Sequence, residues 1–282
     1  MKEQRTPGTV ALVGPGRAGT ALALALMRRD LRVVAVAGRS ADAPSTRAAA
    51  ELLHAPAVDV AAAGPGADLV ILATPDAAIA GAASAVAASL EPGALVVHLS
   101  GSRGVSELAS IAATRPDVRL GALHPLQNLP SAERGVERLA GAWAAVSGPS
   151  EVTAIAELVG LRPFTVDDDA RSAYHAAACT ASNHLVALLA QVQHITDDAG
   201  IPFEAFLPLV RATVDNVDAL GPAAALTGPV ARGDLETVAA HLDALPDTER
   251  AAYRALAARA LVLSGRDDPA LRDLFAHSEV SA

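Results

Sequence analysis

The sequence predicts an α/β domain built on a mostly parallel, doubly wound sheet, followed by an all-α domain. Three observations carry that reading. Short apolar runs alternate with Ala-rich helical stretches through the first half of the chain. A glycine-rich turn joins the first such run to the first helix. From Asp167 onward no strand pattern recurs. The chain has 282 residues, enough for two ordinary domains, and 51% of them are hydrophobic, so a sizeable core can be buried. Much of that fraction is Ala, the best helix former, and aromatics are only 2%.

The strand-like runs are Val10–Val13, Val33–Ala37, Leu69–Ala73, Ala94–Leu99 and Leu120–Leu123. Short continuous apolar runs bounded by turn residues suit strands that are buried on both faces. Between them the pattern predicts helices near Arg17–Arg29, Ser45–Leu53, Asp76–Leu90 and Gly104–Ala113. That rhythm is the signature of a parallel α/β sheet. A further strand pair is expected at Ala142–Ser147 and Arg162–Val166, joined by a helix around Glu151–Leu161. Asp167–Gly200 then reads as one long helix, with three acids at its positive end and Gly200 as its stop. Pro202 opens a second helix to Ala219, and shorter helices follow at Asp234–Ala244, Thr248–Ser264 and Pro269–His277. The expected division is therefore 1–166 for the α/β domain and 167–282 for the helical one.

The strongest local motif is Gly14-Pro15-Gly16-Arg17-Ala18-Gly19, set between Val10–Val13 and the helix from Arg17. In a dinucleotide-binding turn the first glycine allows the tight bend. The second lets backbone approach a pyrophosphate, and the third lets helix and strand pack closely. The helix start supplies free N–H groups and the positive end of the dipole. At the end of the second strand, where NAD enzymes carry an acid for the ribose hydroxyl, this chain has Gly38-Arg39-Ser40. An Arg fork and a Ser hydroxyl suit a 2′-phosphate, so NADP is expected over NAD.

Later strand ends should face the same cofactor. Ala73-Thr74-Pro75-Asp76 and His98-Leu99-Ser100-Gly101 are two of them, with Thr74 and Ser100 expected beside the nicotinamide ribose, and Pro75 and Gly101 near them. Asp76 is either a ligand or a cap of the helix that follows, and His98 is read as a packed core histidine. His124-Pro125-Leu126-Gln127 follows a third strand end, where function and scaffold are equally open.

Composition excludes several classes. The net charge is −9 with no long basic run, which argues against nucleic acid but not against a small anionic substrate. The one cysteine, Cys179, permits no intrachain disulfide and fits a reducing compartment. Met1 to Gly8 carries no apolar signal core. The apolar run Ala77–Leu90 has 14 residues, short of the about 20 a membrane span needs. A soluble, cytoplasmic protein with no membrane contact and no metal site is expected.

In the helical half, His175, Cys179, Ser182 and Asn183 lie at i, i+4, i+7 and i+8 and would share one helix face, amid small alanines. That face is either a substrate-facing stripe or polar surface. Thr227-Gly228-Pro229 with Arg232 and Asp234 forms a turn before a helix. Thr227 and Arg232 could hold an anionic substrate group, or Asp234 caps the helix with Arg232 as its ion-pair partner. His241 on that helix is expected to pack.

Taken in order, Gly14–Gly19, His98–Gly101, His124–Gln127, Tyr174–Ala177, Ser182-Asn183 and Leu226–Asp234 resemble the bacterial Rossmann-like proteins with a DUF2520 C-terminal domain. The resemblance spans nearly the whole chain. More distantly, the architecture is similar to ketopantoate reductases, pyrroline-5-carboxylate reductases, 3-hydroxyacid dehydrogenases and NADP:F420 oxidoreductases. It implies an NADPH-dependent reductase of a small 2-oxo acid, with ketopantoate as the first substrate, and a homodimer paired through the helical domain. Ketopantoate reductases carry a catalytic Lys on the first long helix of the second domain, with Asn four and eight positions later. Those positions fall on His175, Cys179 and Asn183 here, and the chain's only lysine is Lys2. The resemblance therefore makes His175 the natural general acid, with Asn183 orienting the substrate and Cys179 near it, and leaves His124, expected at the mouth of the crevice against the substrate, as the competing acid. An imidazole titrates close to neutral pH, which suits proton donation to a carbonyl oxygen. A cyclic imine reductase and a non-catalytic NADP-binding protein are the rival readings.

Overall fold

The computed structural model describes residues 7–276, and the chain divides into two compact units between Ser182 and Asn183. The first unit is built on an eight-stranded sheet. Its elements are β1 (Thr9–Val13), α1 (Arg17–Met27), β2 (Arg32–Ala37), α2 (Pro44–Leu52), β3 (Ala57–Val58), β4 (Leu69–Leu72), α3 (Ile79–Val86), β5 (Leu95–His98), α4 (Ala109–Thr114), β6 (Arg119–Leu126), α5 (Ala132–Leu139), β7 (Trp143–Ser147), α6 (Ser150–Leu158), β8 (Arg162–Thr165) and α7 (Arg171–Cys179).

The strand order is β3-β2-β1-β4-β5-β6-β7-β8. Every neighbouring pair is parallel except β6 and β7, which run antiparallel. Strand order reverses at β1, between β2 and β4, and this is where open α/β sheets form their crevice. The alternation inferred from the apolar runs is the one observed. Val10, Leu12, Leu69, Ile71, Leu95 and Val97 face one core layer with α1, α2, α5 and α6. Ala11, Val13, Val70, Leu72 and Val96 face the opposite layer with α3 and α4. With both faces covered, period-two alternation of polarity vanishes and the strands read as continuous apolar runs.

Two of these labelled elements of the first unit escaped the sequence reading. β3 is only two residues long. α5 is eight residues whose apolar positions stand among Glu133, Arg134, Glu137 and Arg138. Its signal was the Ser131 N-cap, whose hydroxyl accepts from the Arg134 N–H at 3.3 Å. α5 packs closely on α1, and a Cβ built on Gly135 would stand 2.7 Å from the Ala21 Cβ. β6 also runs further than expected. His124 and Pro125 are paired strand residues opposite Ala145 and Ala144, not a turn after the strand. The β5 pairing of β6 stops at Ala122, so at Pro125 the strand is paired on one side only, where a proline is tolerated.

The expected long helix Asp167–Gly200 is interrupted. A 3-10 turn (Asp168–Ala170) leads into α7, a π turn occupies Thr180–His184, and α8 (Leu185–Asp198) follows. The hydroxyls of Thr180 and Ser182 donate to the carbonyls of Ala176 and Ala178, four residues back, at 2.9 and 2.8 Å. Such back-bonding competes with the amide ladder and favours a wider turn. The 3.6-residue spacing that aligned Ser182 and Asn183 with His175 does not hold across this turn. The predicted boundary near 166 falls where β8 ends; the sheet unit continues through α7.

In the second unit, α9 (Leu207–Leu220), α10 (Pro222–Ala225), α11 (Pro229–Arg232), α12 (Leu235–Ala244), α13 (Asp247–Leu263) and α14 (Pro269–Ala276) follow α8. Val230, Val238, Ala257, Leu261 and Leu271 form its small core. No residue of α9 is buried. The predicted end of the last helix, His277, lies outside the described residues, as does Lys2. Among the described residues no helix is long and apolar enough to cross a membrane.

Candidate active site

The β1–α1 turn has the geometry that its glycines predicted. Gly14 has φ +88°, and a Cβ on it would fall 2.6 Å from both the Ala73 carbonyl carbon and the Thr74 nitrogen. Only glycine lets this turn run so close to the end of β4. A Cβ on Gly19 would stand 2.5 Å from the Ala73 Cβ and 2.9 Å from the Leu12 Cδ1, so α1 lies directly on the sheet. Gly16 is different: it is exposed, and its Cβ would meet nothing within 4 Å. No side chain caps the amides at the start of α1, where Arg17 is exposed and Ala18 half-buried. Those free N–H groups make an anion cradle.

Around this turn stand the other predicted cofactor residues. Arg39 and Ser40, just past β2, are exposed. At the end of β4 the Thr74 hydroxyl is buried without a hydrogen-bond partner, and Pro75 beside it is exposed. A buried orphan hydroxyl is costly unless something supplies its missing partner. An open second glycine, uncapped amides and an unpartnered threonine at the switch point fit a bound dinucleotide.

The β5 end carries a connected polar loop. His98 is fully buried, its Nε2 2.9 Å from the Gly104 carbonyl and its Nδ1 accepting from the Ser100 N–H at 3.3 Å. A carbonyl only accepts and an amide only donates, so His98 is neutral with its proton on Nε2. Burial lowers its basicity in the same direction, against the pull of that carbonyl. The Ser100 Oγ accepts from the N–H groups of Ser102 and Arg103 at 3.3 and 3.1 Å. The Ser102 hydroxyl donates to the Asp76 carboxylate at 2.6 Å. Asp76 thus ties two loops together, and no side-chain cap is made in the short turn it opens. Burial raises its carboxyl, but the Ser102 and Ser100 hydroxyls, Arg103 and His175 together hold it below the ordinary range.

α7 is fastened onto this loop by Arg171, a fully buried guanidinium. It donates to the Ser100 carbonyl at 3.2 Å and to the Ser147 hydroxyl at 2.7 Å, with the Asp168 carboxylate 3.8 Å from its Nε. Ser147 in turn donates to the Val166 carbonyl at 2.6 Å. The ends of β5 and β7 therefore set where α7 begins, and that brings Tyr174 and His175 to β6. The His124 Nδ1 lies 2.7 Å from the Tyr174 hydroxyl. The His124 and His175 rings meet edge-on with centroids 6.0 Å apart. Gly101 passes between them. Burial, with His175 and Arg171 nearby, pushes His124 down to about 4, and burial pushes the Tyr174 phenol up to about 12.

Gly101, His124 and His175 are thus brought together, with Ser100 on the adjoining loop. Cys179 is half-buried, its Sγ 3.9 and 4.0 Å from the two ring nitrogens of His175. Asn183 stands in the π turn, the first residue of the second unit. Thr227 and Arg232 are exposed in that second unit. Asp234 there is the helix cap, accepting from the Thr237 N–H at 3.1 Å and its hydroxyl at 2.7 Å. His241 pairs with the Tyr253 hydroxyl at 2.8 Å. Three site residues were not singled out from sequence: Ser102, Arg171 and Tyr174. Tyr174 adjoins His175 in a quoted motif and was the one within reach. A lone Arg at a helix start gives no sign that it will be buried.

The family model of the Rossmann-like domain matches residues 2–125, and that of the domain of unknown function DUF2520 matches residues 144–260. No curated protein matches the chain. Among solved structures, BF3122 from Bacteroides fragilis, a candidate NADP oxidoreductase, is 27% identical with a TM-score of 0.77, covering 90% of this chain and 98% of its own. TM1727 from Thermotoga maritima is 22% identical with a TM-score of 0.69, covering 91% and 98%. A reductive aminase from Aspergillus terreus, solved with NADPH and ethyl-5-oxohexanoate, is 18% identical with a TM-score of 0.57, covering 96% and 92%. The last two are likenesses of fold. The chain is a Rossmann-like protein that carries a DUF2520 domain.

Proposed function

We propose that this chain is an NADPH-dependent reductase of a small carbonyl compound, with 2-oxo acids as the substrate class and ketopantoate the first to assay. One observation carries the reading. His124 and His175 converge on Gly101 at the carboxyl end of β5, in the same unit as the uncapped glycine turn. Bound NADPH supplies a hydride to the carbonyl carbon. The developing charge on oxygen then needs a proton, and positioned acids contribute about 10²–10⁴-fold. His124 titrates near 4, so at neutral pH it holds no second proton to give. His175 is the proposed general acid. Arg39 and Ser40 are the proposed holders of the 2′-phosphate, with the first-turn amides of α1 on the pyrophosphate.

A second reading is favoured by Asp76, whose carboxylate lies within electrostatic range of His175. A fixed negative charge there suits a substrate that is itself cationic, such as a protonated cyclic imine. The partner we infer is a second copy of this chain, seated on the helical unit. Leu209, Val214, Val217 and Leu220 of α9 are exposed apolar residues on a helix with no fully buried residue.

NADPH oxidation with a panel of 2-oxo acids and cyclic imines tests the function. Turnover of oxo acids supports the first reading, and turnover of imines alone moves it to the second. Tight NADPH binding with no turnover would make the chain a non-catalytic binder and overturn both. In the active case, His175→Ala should lose about 10²-fold or more in kcat, and His124→Ala should lose less. Fluorescence titration should give tighter binding of NADPH than of NADH, with Arg39→Asp weakening NADPH by about ten-fold.

A further inference from the structure

We propose that Tyr174 is a positioning residue for His124, donating its phenol proton to Nδ1 and so holding the ring in the tautomer that carries its hydrogen on Nε2, beside Gly101. The inference rests on the reductase reading given above and assigns a part to a group which that reading leaves idle.

The geometry leaves two ways to write the 2.7 Å bond between Tyr174 and His124. If the ring donates from Nδ1, the phenol hydrogen has no acceptor among the described residues. If the phenol donates, the only unmet donor is the Nε2–H. That nitrogen stands 2.9 Å from where a Cβ of Gly101 would be, so it faces bare backbone at the mouth of the crevice. Giving the phenol hydrogen its acceptor favours the second arrangement. Packing preserves it. The Tyr174 ring is edge-on to His124 at 5.6 Å and to Phe164 at 5.8 Å, which fixes where the hydroxyl points.

The charged and titratable groups around the His124 ring are Arg171, His175, Tyr174 and Asp76. Burial, and then His175 and Arg171, oppose a charged ring, and only Asp76 favours one. The phenol keeps its proton because burial raises it to about 12. The outcome is a neutral imidazole with one N–H aimed past Gly101. Such a group polarises a carbonyl oxygen by hydrogen bonding without surrendering its proton, and a neutral histidine electrophile of this kind works when its basicity is depressed. It divides the labour between the two rings: His124 orients and polarises, and His175 delivers the proton.

The experiment uses ¹⁵N-histidine-labelled protein saturated with NADPH. Nitrogen shifts should report a protonated Nε2 and a bare, hydrogen-bonded Nδ1 for His124 at neutral pH. In Tyr174→Phe, which keeps the ring packing, that resonance should move to a mixture of tautomers. Losing a bond to the neutral form should also raise the His124 titration above about 4. Turnover on whichever substrate the panel identifies should fall about ten-fold in kcat, with NADPH affinity unchanged. His124→Gln, which keeps a neutral N–H donor, should retain more activity than His124→Ala. An Nδ1–H tautomer in the unaltered protein overturns the proposal, as does a Tyr174→Phe variant with unchanged nitrogen shifts and kcat. The nitrogen shifts need no substrate, so a failed panel sinks the reductase reading while the tautomer assignment is still decided.

Discussion

A Cβ on Gly101 would stand 2.7 Å from His175 Cδ2 and 2.9 Å from His124 Nε2, so the loop after β5 threads between two imidazoles with no room for a side chain. Neither ring is a flexible arm that can swing aside, since His124 is bonded to Tyr174 and both rings are packed edge to edge. Gly101→Ala is expected to keep the fold, because φ at this residue is not in the left-handed region. It should displace both rings by several tenths of an ångström and lower kcat by about 10²-fold. Near-full activity in a folded Gly101→Ala protein would remove the two histidines from the chemistry.

The glycine turn separates cofactor contact from packing. Gly16→Ala adds a methyl to open space, so the melting temperature should stay where it is while NADPH affinity drops. Gly19→Ala drives a methyl into Ala73 and Leu12 and should cost about 1–3 kcal/mol of stability by thermal unfolding. If Gly16→Ala binds NADPH as well as the unaltered protein does, the backbone at this point does not approach the phosphates.

Acid should destabilise the first unit earlier than its carboxylates alone would. His124 falls from the ordinary 6.5 to about 4 on folding, so between those values the unfolded chain binds the proton and the folded one does not. Stability therefore declines as pH falls through that window, by up to about 1.4 kcal/mol per pH unit. His98, lowered by burial in the same direction, adds to the slope. Urea unfolding across the window checks this, and His124→Gln should flatten the dependence. A slope that His124→Gln leaves untouched would assign the effect to other groups.

The proposed pairing through the helical unit is tested by the oligomeric state. Sedimentation at micromolar concentration should show a dimer, and Leu209→Glu with Leu220→Glu should shift it toward monomer without unfolding the sheet unit. A monomer at all concentrations would remove the idea.

Much of this protein is local information, and local information survives in a sequence. Strands buried on both faces show as apolar runs, so β1, β2, β4 and β5 were legible to within a residue or two. The demands of the glycine turn are backbone demands made within six positions. The three glycines meet Ala73, open space and Leu12 as a dinucleotide-binding turn requires. Helix starts, stops and the Asp234 cap follow the same rule. What the chain does between distant segments was not legible. The antiparallel run of β7 and the order of the strands depend on which pieces meet. Arg171 is buried because the ends of β5 and β7 present a carbonyl and a hydroxyl to it. Tyr174 matters because the fold sets it against a histidine fifty positions earlier. Periodicity and capping are properties of neighbours along the chain, whereas a neutral, oriented imidazole is made by burial and by partners from three separate elements. The sequence by itself determined the class of fold and the geometry of the glycine turn, and the tertiary structure alone decided which side chains come together around Gly101.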